Sequence, residues 1–393
     1  MALRRLAHGV LHHHRVGSVA HPRPLPAFLS YESRVPLLRF FTSSSTTPAP
    51  HFMVEYLVST CGLSLAAAVK AAPRFAHLGS TSRPDAVRAF LRAQGLSRAE
   101  VRAVVSWLPT VLLSNVDATL YPKFNAVRAL GLGRADAARL FALYPPALTY
   151  GIHSNLLPRV LFWLDLLGST KLLMKWLNKV WLLQYSVDLL LRNMYTLRSL
   201  GVPDDRITTT VRLQPALIMP TPAKFQKLID KAALCGITPS SGMYMWVLFT
   251  LRNVSEGTFR AKKAAVMSAT GCTEQEFAAM FRRAPCFMGM PAELLRQKVE
   301  FLVATARCTT EYIVKNPVLL TFSLSKRMVP RCRVIETLQS RGIDIRKRMN
   351  VSTIMKLSEA KFVERFILRH KQEVPELLEL YPPRHGKGRS QPR

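Results

Sequence analysis

Residues 95–130 read GLSRAEVRAVVSWLPTVLLSNVDATLYPKFNAVRAL, and this stretch decides the fold because it recurs along the chain. Gly95 stops one helix, and Ser97-Arg98-Ala99-Glu100 opens the next. A serine hydroxyl accepts from a free backbone N–H while the glutamate three residues on reaches back, so this is a capping box. Thr273-Glu274-Gln275-Glu276 is a second one. The apolar spacing of Val101, Val104, Val105 and Leu108 marks a buried helix face. Pro109 ends that helix, since the residue before a proline disfavours the helical region. An apolar plug follows, Pro109-Thr110-Val111-Leu112-Leu113, and then a second helix with Pro122 placed in its first turn. A proline fits there because its missing N–H has no partner to lose.

The same order of features repeats outward from this stretch. Helix-stopping glycines stand at Gly62, Gly95, Gly131, Gly168, Gly201, Gly236, Gly271 and Gly342, with Ala306 on the one missing rung. The steps are 33, 36, 37, 33, 35, 35, 35 and 36 residues. A fixed period in this range is the mark of stacked helical units that bury a continuous core. First helices end before Pro73, Pro109, Pro145, Pro215, Pro285 and Pro317, and plugs such as Pro145-Pro146-Ala147-Leu148 and Pro317-Val318-Leu319-Leu320 come next. Pro122, Pro158 and Pro330 each lie 13 residues after the first proline of their repeat. Two repeats lose the first proline, at Lys179 before Val180-Trp181-Leu182-Leu183 and at Phe249-Thr250, and there the first helix is expected to run on or to bend less sharply. No strand-like alternation persists. The expected fold is all-α, a right- or left-handed superhelical solenoid of about eight repeats with a period of about 35 residues.

Charge narrows the function classes. The chain of 393 residues has a formal net charge of +31 and an isoelectric point near 10.6. Self-repulsion on that scale opposes a compact state, and a polyanionic partner relieves it. Nucleic acid is the first such partner and an anionic membrane surface the second. The longest uncharged window, Ala232–Leu251, is broken by Gly236, Pro239 and Gly242, so no membrane-spanning helix is expected. The six cysteines form no C-x-x-C pair and suit small packing positions. Motifs for zinc proteases, serine hydrolases and phosphate-binding loops are absent, and Gly131-Leu132-Gly133 lacks a third glycine and a preceding strand. No catalytic residue, metal site or cofactor is expected.

Residues 1–42 have the composition of an organelle transit peptide, with Arg4, Arg5, Arg15, Arg23, Arg34 and Arg39 opposed by Glu32 alone. Arg39-Phe40-Phe41-Thr42-Ser43 resembles the context in which mitochondrial presequences are cut, which favours the mitochondrion, with the chloroplast as alternative. Residues 43–51 read as a linker, 52–375 as the helical array and 376–393 as a basic disordered tail.

The glycine rungs, the Pro-x-x-Leu-Leu-like plugs and the roughly 35-residue period together resemble the mitochondrial transcription termination factor (mTERF) family, its land-plant members in particular, over about residues 52–375. The two proline-less repeats and Ala306 depart from the pattern. The resemblance implies a curved array that binds organellar DNA or RNA along a concave basic face. It implies a role in transcription termination or in RNA processing such as intron splicing. A protein-binding scaffold or ribosome-assembly factor is the alternative.

The residues suggest where such a partner would touch. Lys123, Arg159 and Arg331 each follow a proline that opens a second helix. A cation there opposes the macrodipole, at about 0.3–1 kcal/mol. Repeating that choice in register points to a phosphate held at the helix N-terminus. Lys262, Lys263 and Lys298 fall near the same place, and Lys224 slightly earlier in its own repeat. Such contacts fix register on a nucleic acid without reading its sequence. Arg192, Arg252, Arg282, Arg283 and Arg333 are the candidates for bidentate contacts to bases. Trp107, Trp163, Trp176, Trp181 and Trp246 sit on apolar faces and are expected in the core. The protein is expected to act as a monomer.

Overall fold

The structure is a computed structural model that describes residues 51–343, 345 and 349–381. The segments expected to be a transit peptide and, up to residue 50, a linker, and the expected tail from residue 382, lie outside the described residues. Every regular element among those described is helical. They form two compact units, one of residues 51–199 with 204–222 and one of residues 200–203 with 223–381.

In the first unit the Gly95 repeat shows the building plan. Ser97 and Glu100 make the expected capping box at the start of Arg98–Trp107. A 3-10 turn, Pro109–Leu113, carries the plug. A π-helical turn, Val116–Leu120, then runs directly into the second helix, Tyr121–Ala129. The Gly131 repeat follows suit with Arg134–Leu143, Pro145–Thr149, Ile152–Leu156 and Leu157–Leu167. In the second unit, Thr310–Lys315, Pro317–Thr321, Leu324–Met328 and Val329–Ser340 have the same order. The Thr273–Glu276 capping box is present on Glu274–Arg283.

The plugs are buried because each lies beneath the helices that flank it. Val111 and Leu112, Ala147 and Leu148, Leu217 and Ile218, Phe287 and Met288, and Leu319 and Leu320 are all buried. Burying a large apolar side chain of this kind is worth about 1.5–3 kcal/mol. Proline is not needed to form a plug. Where Lys179 replaces it, the helix Thr170–Leu177 still stops, contrary to the expectation that it would run on. Lys179 N and Val180 N both donate to Trp176 O, and Leu182 and Leu183 turn inward as a 3-10 segment. Burial of those two leucines suffices to bend the chain. In the other proline-less repeat the helix does run on, as Tyr244–Asn253, and no 3-10 plug separates it from the next helix, Glu256–Thr270.

All eight rung glycines have positive φ, between 67° and 107°. The missing rung falls one residue later than expected. Arg307, directly after Ala306, has φ 51° and is the one non-glycine in the left-handed region among the described residues. That conformation costs an L-residue with a Cβ about 1–2 kcal/mol. Arg307→Gly is therefore expected to raise stability by about 0.5–1 kcal/mol after allowing for the greater freedom of the unfolded glycine chain. A higher urea midpoint checks it. An unchanged or lower one would show that the Arg307 side chain offsets its own strain.

The carboxyl end caps the second unit. Val351–Lys356 and Glu359–Phe362, the latter continuing as a π-helical turn to Leu368, close a core with Val334, Leu338, Phe366 and Leu377. Residues 376–381, read from sequence as part of the tail, belong to this core. Leu377 and Tyr381 are buried and Glu376 pairs with Arg341 at 2.7 Å.

Candidate nucleic-acid interface

The three in-register cations do not sit at helix N-termini. Each second helix begins seven residues before its proline, at caps Asn115, Gly151 and Ser323. Asn115 Oδ1 accepts from Ala118 N at 2.9 Å, and Ser323 Oγ accepts from Lys326 N at 3.2 Å. The proline stands where the π-helical turn gives way to α-helix. There its missing N–H removes the bond that a regular α-helix would need. Lys123, Arg159 and Arg331 consequently lie about two turns inside the helix, far from free N–H groups. The expected row of helix-end phosphate sites is thereby corrected.

These side chains point into the protein and tie each repeat to the next. Lys123 is 7% exposed and donates to Leu148 O, in the following plug. Lys262 is 9% exposed and donates to Met288 O at 2.7 Å. Lys298 is fully buried and donates to Leu320 O at 2.7 Å, with Met290 Sδ beside it. Arg331 is fully buried and donates to Ile354 O and Leu357 O, both at 2.9 Å, and to Glu359 at 3.2 Å. Arg159 is half-buried, donates to Tyr185 O at 3.1 Å and lies over the Tyr150 ring. In the Gly168 repeat an amide does the same work: Asn193 Nδ2 reaches Ile218 O at 2.9 Å and Pro220 O at 2.7 Å. A 3-10 turn leaves its last carbonyls without helical partners, and buried carbonyls need donors. The second helix of the preceding repeat supplies them. Burial lowers the basicity of Lys123 and Lys262, and pushes that of Lys298 down to about 7.

Two second helices carry no such donor, Ser82–Ala93, whose buried residues are Pro84, Val87 and Leu91, and Pro222–Leu234. The buried face of Pro222–Leu234 is Phe225, Leu228, Ile229 and Ala232, all apolar. The repeat after it is the one without a 3-10 plug. At Pro222–Leu234 donor and acceptor are lost together, whereas the Gly95 plug forms without a donor from Ser82–Ala93.

A second set of arginines fastens the repeats in the opposite direction. Arg212 Nε donates to Leu166 O at 2.7 Å, and Arg282 donates to Cys235 O at 3.3 Å. Both acceptors lie at the end of a second helix, where the macrodipole favours a cation. The rung glycines make room for these side chains. A Cβ at Gly168 would come within 3.4 Å of Arg212, one at Gly236 within 3.2 Å of Arg282, and one at Gly62 within 2.4 Å of Arg102. Sequence reading took Arg282 for a base reader and passed over Arg212. The signal was available: an arginine recurs 40 to 46 residues after a rung glycine, at Gly62–Arg102, Gly168–Arg212 and Gly236–Arg282.

The cations that remain at the surface are a smaller set. Arg192, Lys224 and Arg333 are exposed, and their side chains have no hydrogen-bond or ion-pair partner among the described residues. Arg192 and Arg333 stand one and two positions from the inward-pointing Asn193 and Arg331, so the same helices present one polar side chain inward and another to water. Lys263 pairs with Glu274 at 2.7 Å. Arg283 is exposed and touches Lys315 O at 3.4 Å, and Arg252 bonds the adjacent Asn253 at 3.3 Å. Of the tryptophans, Trp163 is core and donates to Leu182 O at 3.1 Å. Trp107, at 44% exposed, is not, and packs edge-on against Trp181. Trp176 carries Lys175 and Lys179 over its ring.

The inter-repeat donors, and all the glycine rungs except Gly62 and Gly236, fall within segments that a known family shares. The mTERF family model matches residues 89–219 and 251–363, more than half of the chain. The chain belongs to the mTERF family. No curated protein matches it. Membership in the mTERF family points to organellar nucleic-acid binding in the regulation of gene expression. No helix among the described residues is long and apolar enough to cross a membrane.

Proposed function

We propose that this mTERF protein is a non-catalytic, monomeric nucleic-acid-binding regulator of mitochondrial gene expression, acting in transcription termination or in RNA processing such as intron splicing. The observation that carries the reading is the formal net charge of +31, far more than the five inward cations Lys123, Arg159, Lys262, Lys298 and Arg331 account for. Arg192, Lys224, Lys263, Arg283 and Arg333, exposed or half-exposed on the helices, are the side chains proposed to meet phosphate or base. The arginine-rich segment before residue 43 supports delivery to the mitochondrion, with the chloroplast as the other destination.

Counter-ion release separates surface cations from inward ones. Arg192→Ala, Lys224→Ala and Arg333→Ala are each expected to weaken binding to all sequences alike and to lower the slope of log affinity against log salt by about one. Lys262→Met should leave the slope as it is and lower stability. Affinity measured on duplex DNA and on RNA across a salt series checks both. Absence of binding to either at low salt would overturn the reading and leave a protein-binding scaffold or ribosome-assembly factor.

A further inference from the structure

The first unit contains a cleft of about 350 Å³ lined by Thr60, Cys61, Val101, Val105 and four arginines, Arg88, Arg92, Arg98 and Arg102. The arginines come as two i, i+4 pairs, one on the helix Ser82–Ala93 and one on Arg98–Trp107. Like charges at that spacing repel along each helix, and here the two pairs also face the same space. The nearby carboxylates do not neutralise them all. Asp85 is taken by Arg88 at 3.0 Å and by the Tyr56 hydroxyl at 2.7 Å. Glu100 is held at the helix start by Ser97 N at 2.7 Å. Arg92 spends one N–H on Leu96 O at 2.7 Å. Arg98 has no hydrogen-bond or ion-pair partner among the described residues. Burial pushes the Cys61 thiol up to about 11, so it adds no negative charge near neutrality.

The geometry of the cleft is fixed by the fold. Gly62 has φ +71°, and a side chain there would meet Arg102 Nε at 2.4 Å, so the glycine lets this guanidinium lie across the helix end. Arg88 is oriented by Asp85 and Tyr56 and lies over the Tyr56 ring. Planar guanidinium forks brought together in this way match the paired oxygens of phosphoryl groups.

We propose that this cleft is a binding site for a phosphoryl anion of about pyrophosphate size, either free or as the phosphorylated 5′ end of a nucleic acid. The volume admits a diphosphate group with its water and excludes a duplex. None of Arg192, Lys224 and Arg333 lines the cleft, and the proposal does not depend on their binding nucleic acid.

Titration of the full chain with inorganic pyrophosphate tests it, read by calorimetry and by the thermal midpoint at matched ionic strength. Wild type is expected to bind and to gain about 2 °C or more at ten times the dissociation constant. Arg98→Ala, which removes an exposed and unpartnered side chain, is expected to weaken binding at least about tenfold, and Arg98→Lys less. Arg192→Ala should leave pyrophosphate binding intact while lowering the salt slope for nucleic acid, so the two proposals fail separately. A short RNA with a 5′-diphosphate and its 5′-hydroxyl counterpart distinguish the sources. A preference for the first that Arg98→Ala removes assigns the cleft to nucleic-acid ends, and equal affinities with pyrophosphate binding retained assign it to the free anion. No binding of pyrophosphate at millimolar concentration, or equal affinity in wild type, Arg98→Ala and Arg98→Glu, would overturn the proposal.

Discussion

Arg331→Met is expected to lower stability by about 3 kcal/mol or more, with the loss concentrated in residues 329–381. The guanidinium is fully buried, donates to Ile354 O and Leu357 O at 2.9 Å, and sits 4.4 Å from the centre of the Phe362 ring. Methionine fills much of the volume and donates nothing. Each buried carbonyl left without a donor costs about 1–3 kcal/mol. Glu359, which also accepts from Tyr381 at 2.9 Å, would keep that bond and lose the arginine. Arg331→Lys should recover part of the loss, since an ammonium can serve one carbonyl but not the fork of acceptors. Because repeats contact mainly their neighbours, amide exchange should quicken in Val351–Lys356 and Glu359–Leu368 and stay slow in the Gly95 repeat. Unchanged protection in the capping helices would show that Arg331 does not hold them.

Lys298 should add stability as the pH rises above neutrality, against an opposing contribution from buried thiols such as Cys61 and Cys286 at the upper end of the range. In the unfolded chain this lysine titrates at its ordinary value of 10.5, whereas burial in the folded protein brings it to about 7. Between those values the unfolded chain binds a proton that the folded chain does not. Raising the pH through this window therefore favours the folded state, and lowering it toward 7 removes that contribution. The change is about 5 kcal/mol at most over the full window. Lys123 and Lys262 shift in the same direction and for the same cause. Urea midpoints at pH 7 and near pH 10 for wild type and Lys298→Met check the prediction. The variant should show a clearly shallower rise. Parallel rises would mean that Lys298 reaches water in the folded state.

The fold was legible in the sequence because its punctuation is made of residues with hard backbone constraints. Gly62 through Gly342 mark left-handed helix ends, and Pro109, Pro145 and Pro317 mark the helix stops one or two residues ahead of them. Where the constraint softens, the reading slipped. Arg307 took the left-handed position that Ala306 was given, and Leu182-Leu183 formed a plug without proline. The site was less legible for a specific reason. Pro122 was read as opening a helix that in fact starts at Asn115, and that seven-residue error turned Lys123 from a surface residue into a core one. Charge misled in the same way. A cation in a basic chain reads as a surface group, yet Lys298 and Arg331 are fully buried because the carbonyl ends of a plug and of the helix Val351–Lys356 need donors. Their partners lie 22 to 26 residues downstream, beyond any local pattern.

The coincidence at Pro222–Leu234 bears on how such a protein can grow or shrink. Because each donor serves an acceptor in the repeat that follows, a repeat is not a self-sufficient part. From the Gly131 repeat onward a plug is completed by its predecessor, and the repeat's own donor completes its successor. Duplicating or deleting an ordinary period preserves this grammar, since every donor still meets a plug. The apolar helix Pro222–Leu234 and the plugless helix Tyr244–Asn253 break the rule only as a pair. Excising one without the other would leave an unanswered lysine or an unanswered carbonyl. The two must therefore be inherited as one double-length module, and copies with altered numbers of repeats should differ by whole periods everywhere except across this junction.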